Sequence, residues 1–544
     1  MKKIFSFYFL IFLFAACGSP NADNSKKKIF HYNESGGITS LDPASAKTVE
    51  NIWAVNQIFN GLVYLNDNLE VIPCIAKRWV ISDSGKVYTF YLRNDVYFHD
   101  HPKFPNGKGR KVVAQDFVLS FFRLMDMDEE QSAKYLFSNI ARDERSDFLG
   151  FSAPNDTTFQ IFLQKPFPPF MNILTMQYCS VIPNEIVLQY GPDFRRNPIG
   201  TGPFKFKVWE EGTKLVLEKN ENYFEKEGNR QLPYLDGITV SFIKDKQSAF
   251  LEFEKGDADM LSGADMMNID LILDKNGKLK KEYEGKFNMQ TGPYLKTDYL
   301  GFLLDEDSAI VKKSSLRIKE VRQAIGYAID RKKIVEHLRN SIGTAATNGF
   351  IPKGMPSFDT LLQGYYYSPD KASHLLAKAG FPKGKGMEEI ILHVTEQYLE
   401  LSQYIEHELE EIGIPITINL NRPIIQTEII ANAKVNFFRK SWVGDYADAE
   451  NFFACFYSKN FSPKGPNYTH FINKRFDNLF EKALNEPNDD MRFKIYKEMD
   501  KILFEEAPIV PLFYDQVFRL VQNNVEGLTI NPMNLLNLKR VKKK

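Results

Sequence analysis

The chain has 544 residues, with 69 Lys plus Arg against 69 Asp plus Glu and 43% hydrophobic residues. That length implies about three or four domains and excludes a small disulfide-stapled scaffold. A formal charge of zero lacks the strongly basic field that nucleic-acid binding needs, and 25% charged residues exclude a disordered or many-spanning membrane chain.

In chain order, Met1-Lys2-Lys3 is a short basic start, and Ile4 to Ala16 is a nearly unbroken apolar run of 13 residues, shorter than the about 18 needed to cross a bilayer. With small residues before Cys17, this predicts a secretory signal peptide over 1–16. Phe14-Ala15-Ala16-Cys17 resembles a bacterial lipobox, which implies cleavage before Cys17 and a diacyl lipid on its sulfur. Residues 17–27 are small, polar and charged and read as a flexible tether. Gly18 follows Cys17 where an inner-membrane retention signal would place Asp, so the outer membrane is the favoured site. Cys74, Cys179 and Cys455 show no C-x-x-C spacing and read as small buried hydrophobes, with a disulfide between two of them left open.

Period-two alternation predicts strands at Val87–Leu92, Lys214–Glu218 and Ile238–Phe242. Helical spacing joins Val321, Ala324, Ile325 and Ala328, and again Leu401, Ile405, Leu409 and Ile412, where Gly413 ends the helix. Ser368 is placed to cap a third helix, with Pro369 in its first turn, Leu375 and Leu376 on its apolar side, and Gly380 and Pro382 as its stop. The chain is mixed α/β, without repeats or heptads.

The chemistry-bearing motifs of enzymes are incomplete. His407-Glu408 starts like a zinc-binding helix, but position 411 is Glu where H-E-x-x-H needs the second ligand. His99 and His101 flank Asp100 in a turn that reads as a solvated loop rather than a metal site. The G-T-G of Gly200–Gly202 runs into Pro203 and a strand-like FKFKVW, so it is no dinucleotide loop. Acid pairs such as Asp445 and Asp448, or Asp257 and Asp259, can be judged as glycosidase carboxylates only by geometry. No metal, cofactor or catalytic residue is predicted.

Five segments, in order, carry a resemblance. They are Ser40–Trp79 with its Leu41-Asp42-Pro43, the expected strand pair Lys86–Asp100, Asn197–Gly212 with G-T-G-P, Val321–Ile334, and Arg439–Phe453 with W-x-x-D-Y. Together they resemble the bacterial extracellular solute-binding proteins of family 5, in the peptide-binding branch serving ABC importers. His101-Pro102-Lys103 departs from the family pattern after Asp100. The resemblance implies an α/β, two-lobed periplasmic-binding-protein-like fold (type II, large cluster) with an additional inserted domain. Lobe one would combine 28–60, 197–292 and 511–544, the insert would be 61–196, and lobe two 293–510.

The same resemblance implies the site. Asp445 would hold the ligand's α-ammonium, and Arg439 the C-terminal carboxylate of some peptides, for which a guanidinium fork is suited. The peptide backbone would pair with Ser441, Trp442 and Val443 and with Gly37, Ile38 and Thr39, and Trp442 and Tyr446 would form pocket walls. Main-chain pairing accepts any composition, because amides and carbonyls are common to all peptides. The implied protein is a monomeric lipoprotein of the cell envelope, held to the membrane through Cys17. It needs no cofactor, binds no nucleic acid, and captures di- or oligopeptides for an importer's permease and ATPase. Rival readings are the same fold binding a nickel chelate, oligosaccharide or opine, a peptide-holding chaperone or surface protein, and, third, a hydrolase.

Overall fold

The computed structural model describes residues 27–127, 134–143, 148–263 and 269–544. The signal segment 1–16, Cys17 and nearly all of the tether lie outside the described residues. Among the described residues no helix is long and apolar enough to cross a membrane.

The alternating segments become strands because one face can be buried while the other meets polar surroundings. Val87–Leu92 alternates half-buried and buried residues throughout, Lys214–Lys219 does so as far as Leu217, and Gly237–Ser241 buries Ile238 and Val240. Val321, Ala324, Ile325 and Ala328 are all buried in the helix Lys319–Ala328. Leu401, Ile405 and Leu409 are buried in the helix Leu399–Glu411, which gives way at Gly413 with φ of +88°. The helix Pro369–Lys378 follows Ser368, but that serine makes no capping hydrogen bond. Proline's fixed φ and missing N–H suit the first turn without it. Of the strand pair expected in Lys86–Asp100 only the first member forms. Arg93 and Asp95 clamp each other in a turn, and beyond them Tyr97 makes a single bridge to Lys111.

Among the described residues, eleven strands form the main sheet. Its spatial order is Phe204–Glu210, Lys214–Lys219, Gly237–Ser241, Ile29–Asn33, Met260–Ser262, Ile509–Gln522, Phe287–Phe302, Phe437–Val443, Ile390–Thr395 and Ile416–Asn421, with Thr344–Ala345 also on Ile509–Gln522. The two long strands pair antiparallel from Phe287 opposite Gln522 to Gly301 opposite Ile509, and they carry the chain from one lobe into the other. On the first side the core holds Phe30, Trp53, Ile238 and Val240; on the second it holds Leu300, Phe302, Val321, Ile325 and Leu392.

A separate four-stranded antiparallel sheet, Ala76–Ser82, Val87–Leu92, Thr158–Phe162 and Phe151–Asn155, lies wholly within 61–196. The helix Ala114–Asp126 lays Phe117 and Phe121 on Phe159 and Phe151, with ring centroids 5.4 to 5.7 Å apart. This sheet has no core of its own, because its apolar residues join those of the first lobe in one cluster.

The G-T-G segment is a close crossing of backbones. A Cβ on Gly200 would stand 2.0 Å from the Ile58 carbonyl oxygen, and one on Gly202 2.5 Å from the Ile58 carbonyl carbon. The Gly202 amide donates to Ile58 O at 2.8 Å, while its carbonyl accepts from Asn220 Nδ2 at 2.9 Å and lies 2.9 Å from His99 Nε2. His99 is therefore not in a solvated loop. It is 3% exposed, and burial lowers its pKa to about 4. Cys74, Cys179 and Cys455 are all free and buried.

Candidate functional site

The strand Phe437–Val443 uses one edge along its full length, from Phe437 opposite Phe302 to Val443 opposite Lys296. On the other edge Ile390–Thr395 meets it at only one position, His393 opposite Phe438. Among the described residues, the outer edge of 440–443 has no strand partner. Such an edge is a ready template for an added strand.

Beyond Val443 the chain turns, with the Gly444 amide donating to Leu295 O at 2.8 Å. Asn451 then organises the turn. Its Oδ1 accepts from Trp442 Nε1 at 3.1 Å and from the Asp445 amide at 3.0 Å, and its Nδ2 donates to Asp445 Oδ2 at 3.2 Å. Asn451 is 5% exposed, so one buried amide fixes both the indole and the carboxylate.

Asp445 is exposed, yet burial is the first influence on its carboxyl. Tyr135 donates a hydrogen bond to it, and Tyr178 is near enough to feel its charge. Tyr135 keeps 61% of its surface open. Burial raises Asp445 above the ordinary carboxylate range, while Asn451 and Tyr135 draw it back. Burial first, and the Asp445 charge second, raise both tyrosine hydroxyls.

The loop Asp445–Glu450 contains three acids with different fates. Asp448 is neutralised by Arg492 at 3.2 Å and accepts from the Tyr496 hydroxyl at 2.7 Å. Glu450 accepts from the Tyr446 hydroxyl. Burial, helped by the charges of Asp448 and Asp445, pushes Glu450 up to about 7 in spite of that hydrogen bond. Neither Asp445 nor Glu450 has a cationic partner among the described residues. Among the described residues this is an uncompensated anionic site, and the group it suits is a cation.

The remaining predicted residues are distributed differently. Arg439 is withdrawn from the surface: its side chain is 9% exposed, its guanidinium is ion-paired with the fully buried Asp298, and it lies 3.2 Å from the Tyr398 ring centroid. Ser441 is half-buried opposite Asp298, and Val443 is 39% exposed on the free edge. Trp442 packs on the second lobe's core, whereas Tyr446 is 5% exposed within the first lobe's cluster and ties the lobes together as a core residue.

Gly37–Thr39 is already engaged. The Thr39 amide donates to Asn51 Oδ1 at 3.0 Å, its carbonyl accepts from Arg195 at 3.2 Å, and Ile38 is buried. Gly37, at φ of +70°, closes a turn onto the Glu34 carbonyl. The segment borders a cavity of about 360 Å³ with Arg195, Glu211, Phe242 and Lys244, and no described contact joins it to Ser441–Val443. Nothing in the sequence marks Tyr135 or Tyr178, whereas Glu450 and Asn451 stand inside the resembling stretch Arg439–Phe453.

A Ser–His–Asp contact does occur at Ser462, His470 and Asp305, with both nitrogen–oxygen distances 3.3 Å. His470 Nε2 lies closer, at 3.1 Å, to the Ser462 carbonyl, and Ser462 is 5% exposed. A ring nitrogen that donates to a carbonyl cannot take the proton of a nucleophile, so this trio is structural.

The family model described as bacterial extracellular solute-binding proteins, family 5 Middle, matches residues 70–464. The dipeptide-binding protein of Escherichia coli (strain K12) is 26% identical over 495 residues, covering 88% of this chain and 87% of the relative. Heme-binding protein A of Haemophilus influenzae is 27% identical over 501 residues, covering 88% and 85%. Among solved structures, an ABC transporter-associated periplasmic binding protein from Helicobacter pylori in complex with peptide STSA shares the fold. Its TM-score is 0.76 at 22% identity, over 95% of this chain and 98% of that one. With a match that spans well over half its length and a two-lobed fold of the same kind, this chain belongs to the bacterial extracellular solute-binding proteins of family 5.

Proposed function

We propose that the protein captures peptides in extended form between its lobes and delivers them to an ABC importer. The observation that carries this reading is Asp445, an exposed carboxylate without a cationic partner among the described residues, just past the end of the free edge 440–443. Every unmodified peptide has an α-ammonium, so one such carboxylate selects peptides without reading side chains, and the free edge adds main-chain hydrogen bonds. Tyr135 and Tyr178 close the site over the ligand's first residue. The lobes in this reading are 28–60 with 197–292 and 511–544, and 293–510, with 61–196 inserted. Arg439 supports the strand through Asp298.

The test is calorimetric titration of the ligand-stripped protein with tri-alanine and with its N-acetylated form, for wild type and Asp445→Ala. A charge-assisted hydrogen bond contributes about 1.5 to 3 kcal/mol, so acetylation or the substitution should each weaken binding about ten- to a hundredfold. Equal affinity for the acetylated peptide would sink the ammonium role of Asp445. A folded protein that binds no free peptide moves the reading to another solute on the same fold.

The reading also places the mature chain on the membrane through a lipid on Cys17. Mass spectrometry of detergent-extracted protein should find a chain beginning at a diacylated Cys17, and an unmodified N-terminus would refute the anchor.

A further inference from the structure

We infer that the pole of the first lobe around Lys28, Tyr234 and Lys542 is a basic surface that lies on the anionic phospholipid headgroups of the membrane. The inference takes its geometry from the lipid on Cys17 proposed above and adds an electrostatic contact to that anchor. Lys28 follows Cys17 by eleven residues, and a chain of that length spans at most about 40 Å. A folded chain of 544 residues is about 60 Å across. The side on which Lys28 enters the fold is therefore the side that the tether holds to the bilayer.

Segments far apart in the sequence meet at that pole. The Lys28 amide donates to Asp236 Oδ2 at 2.8 Å, and the Asp236 amide donates to the Lys28 carbonyl at 2.9 Å. Two residues before Asp236, the Tyr234 amide donates to Lys539 O at 3.3 Å, and the Lys542 ammonium stands 4.5 Å from the Tyr234 ring centroid. Glu227 accepts from the Tyr234 hydroxyl at 2.6 Å and lies 3.2 Å from the Arg540 guanidinium, while Arg230 is its partner residue across a short antiparallel pair. Lys27, Lys28, Arg230 and Arg540 are exposed, and Lys542 is half-buried. Arg540 is paired with Glu227, and Lys544 with Glu526 at 2.6 Å. Lys27, Lys28, Arg230 and Lys542 have no carboxylate within ion-pair distance among the described residues.

In a chain whose formal charge is zero, this is a local excess of positive charge beside the point where the tether ends. A lipid on a tether keeps the molecule near the bilayer without fixing its orientation. Each uncompensated lysine or arginine close to an anionic membrane strengthens attachment about fivefold, and the attraction fades beyond about 10 Å at 0.1 M salt. The cations around Lys28 are the ones the tether brings within that range, so they turn this pole to the headgroups.

The experiment sediments the chain from Gly18, which carries no lipid and keeps every described residue, with vesicles of phosphatidylcholine alone or mixed equally with phosphatidylglycerol. At about 0.05 M salt the mixed vesicles should hold it about tenfold or more tightly than the neutral ones, and about 0.5 M salt should remove the difference. Lys28→Gln, Arg230→Gln and Lys542→Gln together should weaken binding to the mixed vesicles about tenfold or more. Lys332→Gln, Lys434→Gln and Lys474→Gln together change three exposed lysines of the second lobe and should leave binding within about twofold. Both triple variants should keep the wild-type Tm. Equal binding of wild type to the two kinds of vesicle, or an equal loss in the two triple variants, overturns the inference. Should the first triple variant not fold, hydrogen exchange of wild type on the mixed vesicles decides: exchange should slow at 226–231 and 539–544, and slowing confined to other segments overturns the inference. The anchor is read separately by mass spectrometry at Cys17, so its failure and the failure of the surface are told apart.

Discussion

Asp445 and Glu450 share one electrostatic field, yet only the first is exposed, and this difference makes ligand binding sensitive to pH. Glu450 is pushed up to about 7 by burial and by its acidic neighbours, so near neutrality it is partly protonated in the free protein. A ligand ammonium beside Asp445 favours the charged form, and the complex then holds fewer protons than the free protein. Affinity should rise from about pH 5 to about pH 7, with protons released on binding, because the ligand binds most tightly where the proton has already left. Calorimetry in two buffers of different ionisation enthalpy measures that release. Glu450→Gln should abolish it, and a wild type that releases no protons would remove Glu450 from the site's field. At this scale the sequence singles out Asp445 because its loop stands in the resembling stretch Arg439–Phe453 and the chemistry of peptide termini asks for a carboxylate. The ion pair of Arg439 was not legible, because sequence carries no sign of Asp298, 141 positions earlier in the numbering, which folding places against it. Tyr135 and Tyr178 were invisible for a like reason: folding brings them near Asp445 from some 300 positions earlier in the chain.

Segments with a strict period declared themselves as strands and helices, but which edges remained open depended on partners far away in the chain. Val87–Leu92 and Lys319–Ala328 could be read from their own apolar spacing. The free edge of Phe437–Val443 could not, because it exists only where Ile390–Thr395 diverges after His393. The G-T-G segment shows the same limit. Its glycines were recognisable as a signature, whereas their reason is the Ile58 backbone crossing beneath them. Neither glycine has a positive φ, so the constraint is space and not conformation. Gly200→Ala must force Ile58 and its helix Val49–Ile58 away from the crossing, and overpacking of this kind costs about 1 to 3 kcal/mol or more. Thermal unfolding should show a clearly lowered Tm, with the Gly202 hydrogen bonds to Ile58, Asn220 and His99 the first to exchange. A variant that melts with wild type would mean that the crossing is loose.

For the whole molecule, the strands Phe287–Phe302 and Ile509–Gln522 are the bridge on which the lobes depend, and their pairing breaks register between Pro293 and Thr297 and again after Asp298. Charges fill that irregularity. Asp515 bonds Lys296 and Arg339, each at 2.7 Å, Lys296 lies 3.7 Å from Asp298, and Asp298 holds Arg439 from the neighbouring strand. Burial alone would push the Asp515 carboxyl up, but the Lys296 ammonium and Arg339 guanidinium outweigh it and hold it at about 2. Its folded pKa therefore lies below the unfolded value of about 3.9. Its contribution to stability is complete above that value and is lost as pH falls toward about 2. Asp515→Asn leaves two buried cations facing an amide, a loss of about 3 to 5 kcal/mol when one partner of a buried pair is removed. Denaturant unfolding at pH 6 should show that deficit in full, and at pH 3 the gap between variant and wild type should narrow as wild type begins to lose its own carboxylate. A gap that stays constant across this range would mean that Asp515 stabilises the bridge by shape alone, and no gap at either pH would mean that the lobes are joined without the cluster's help.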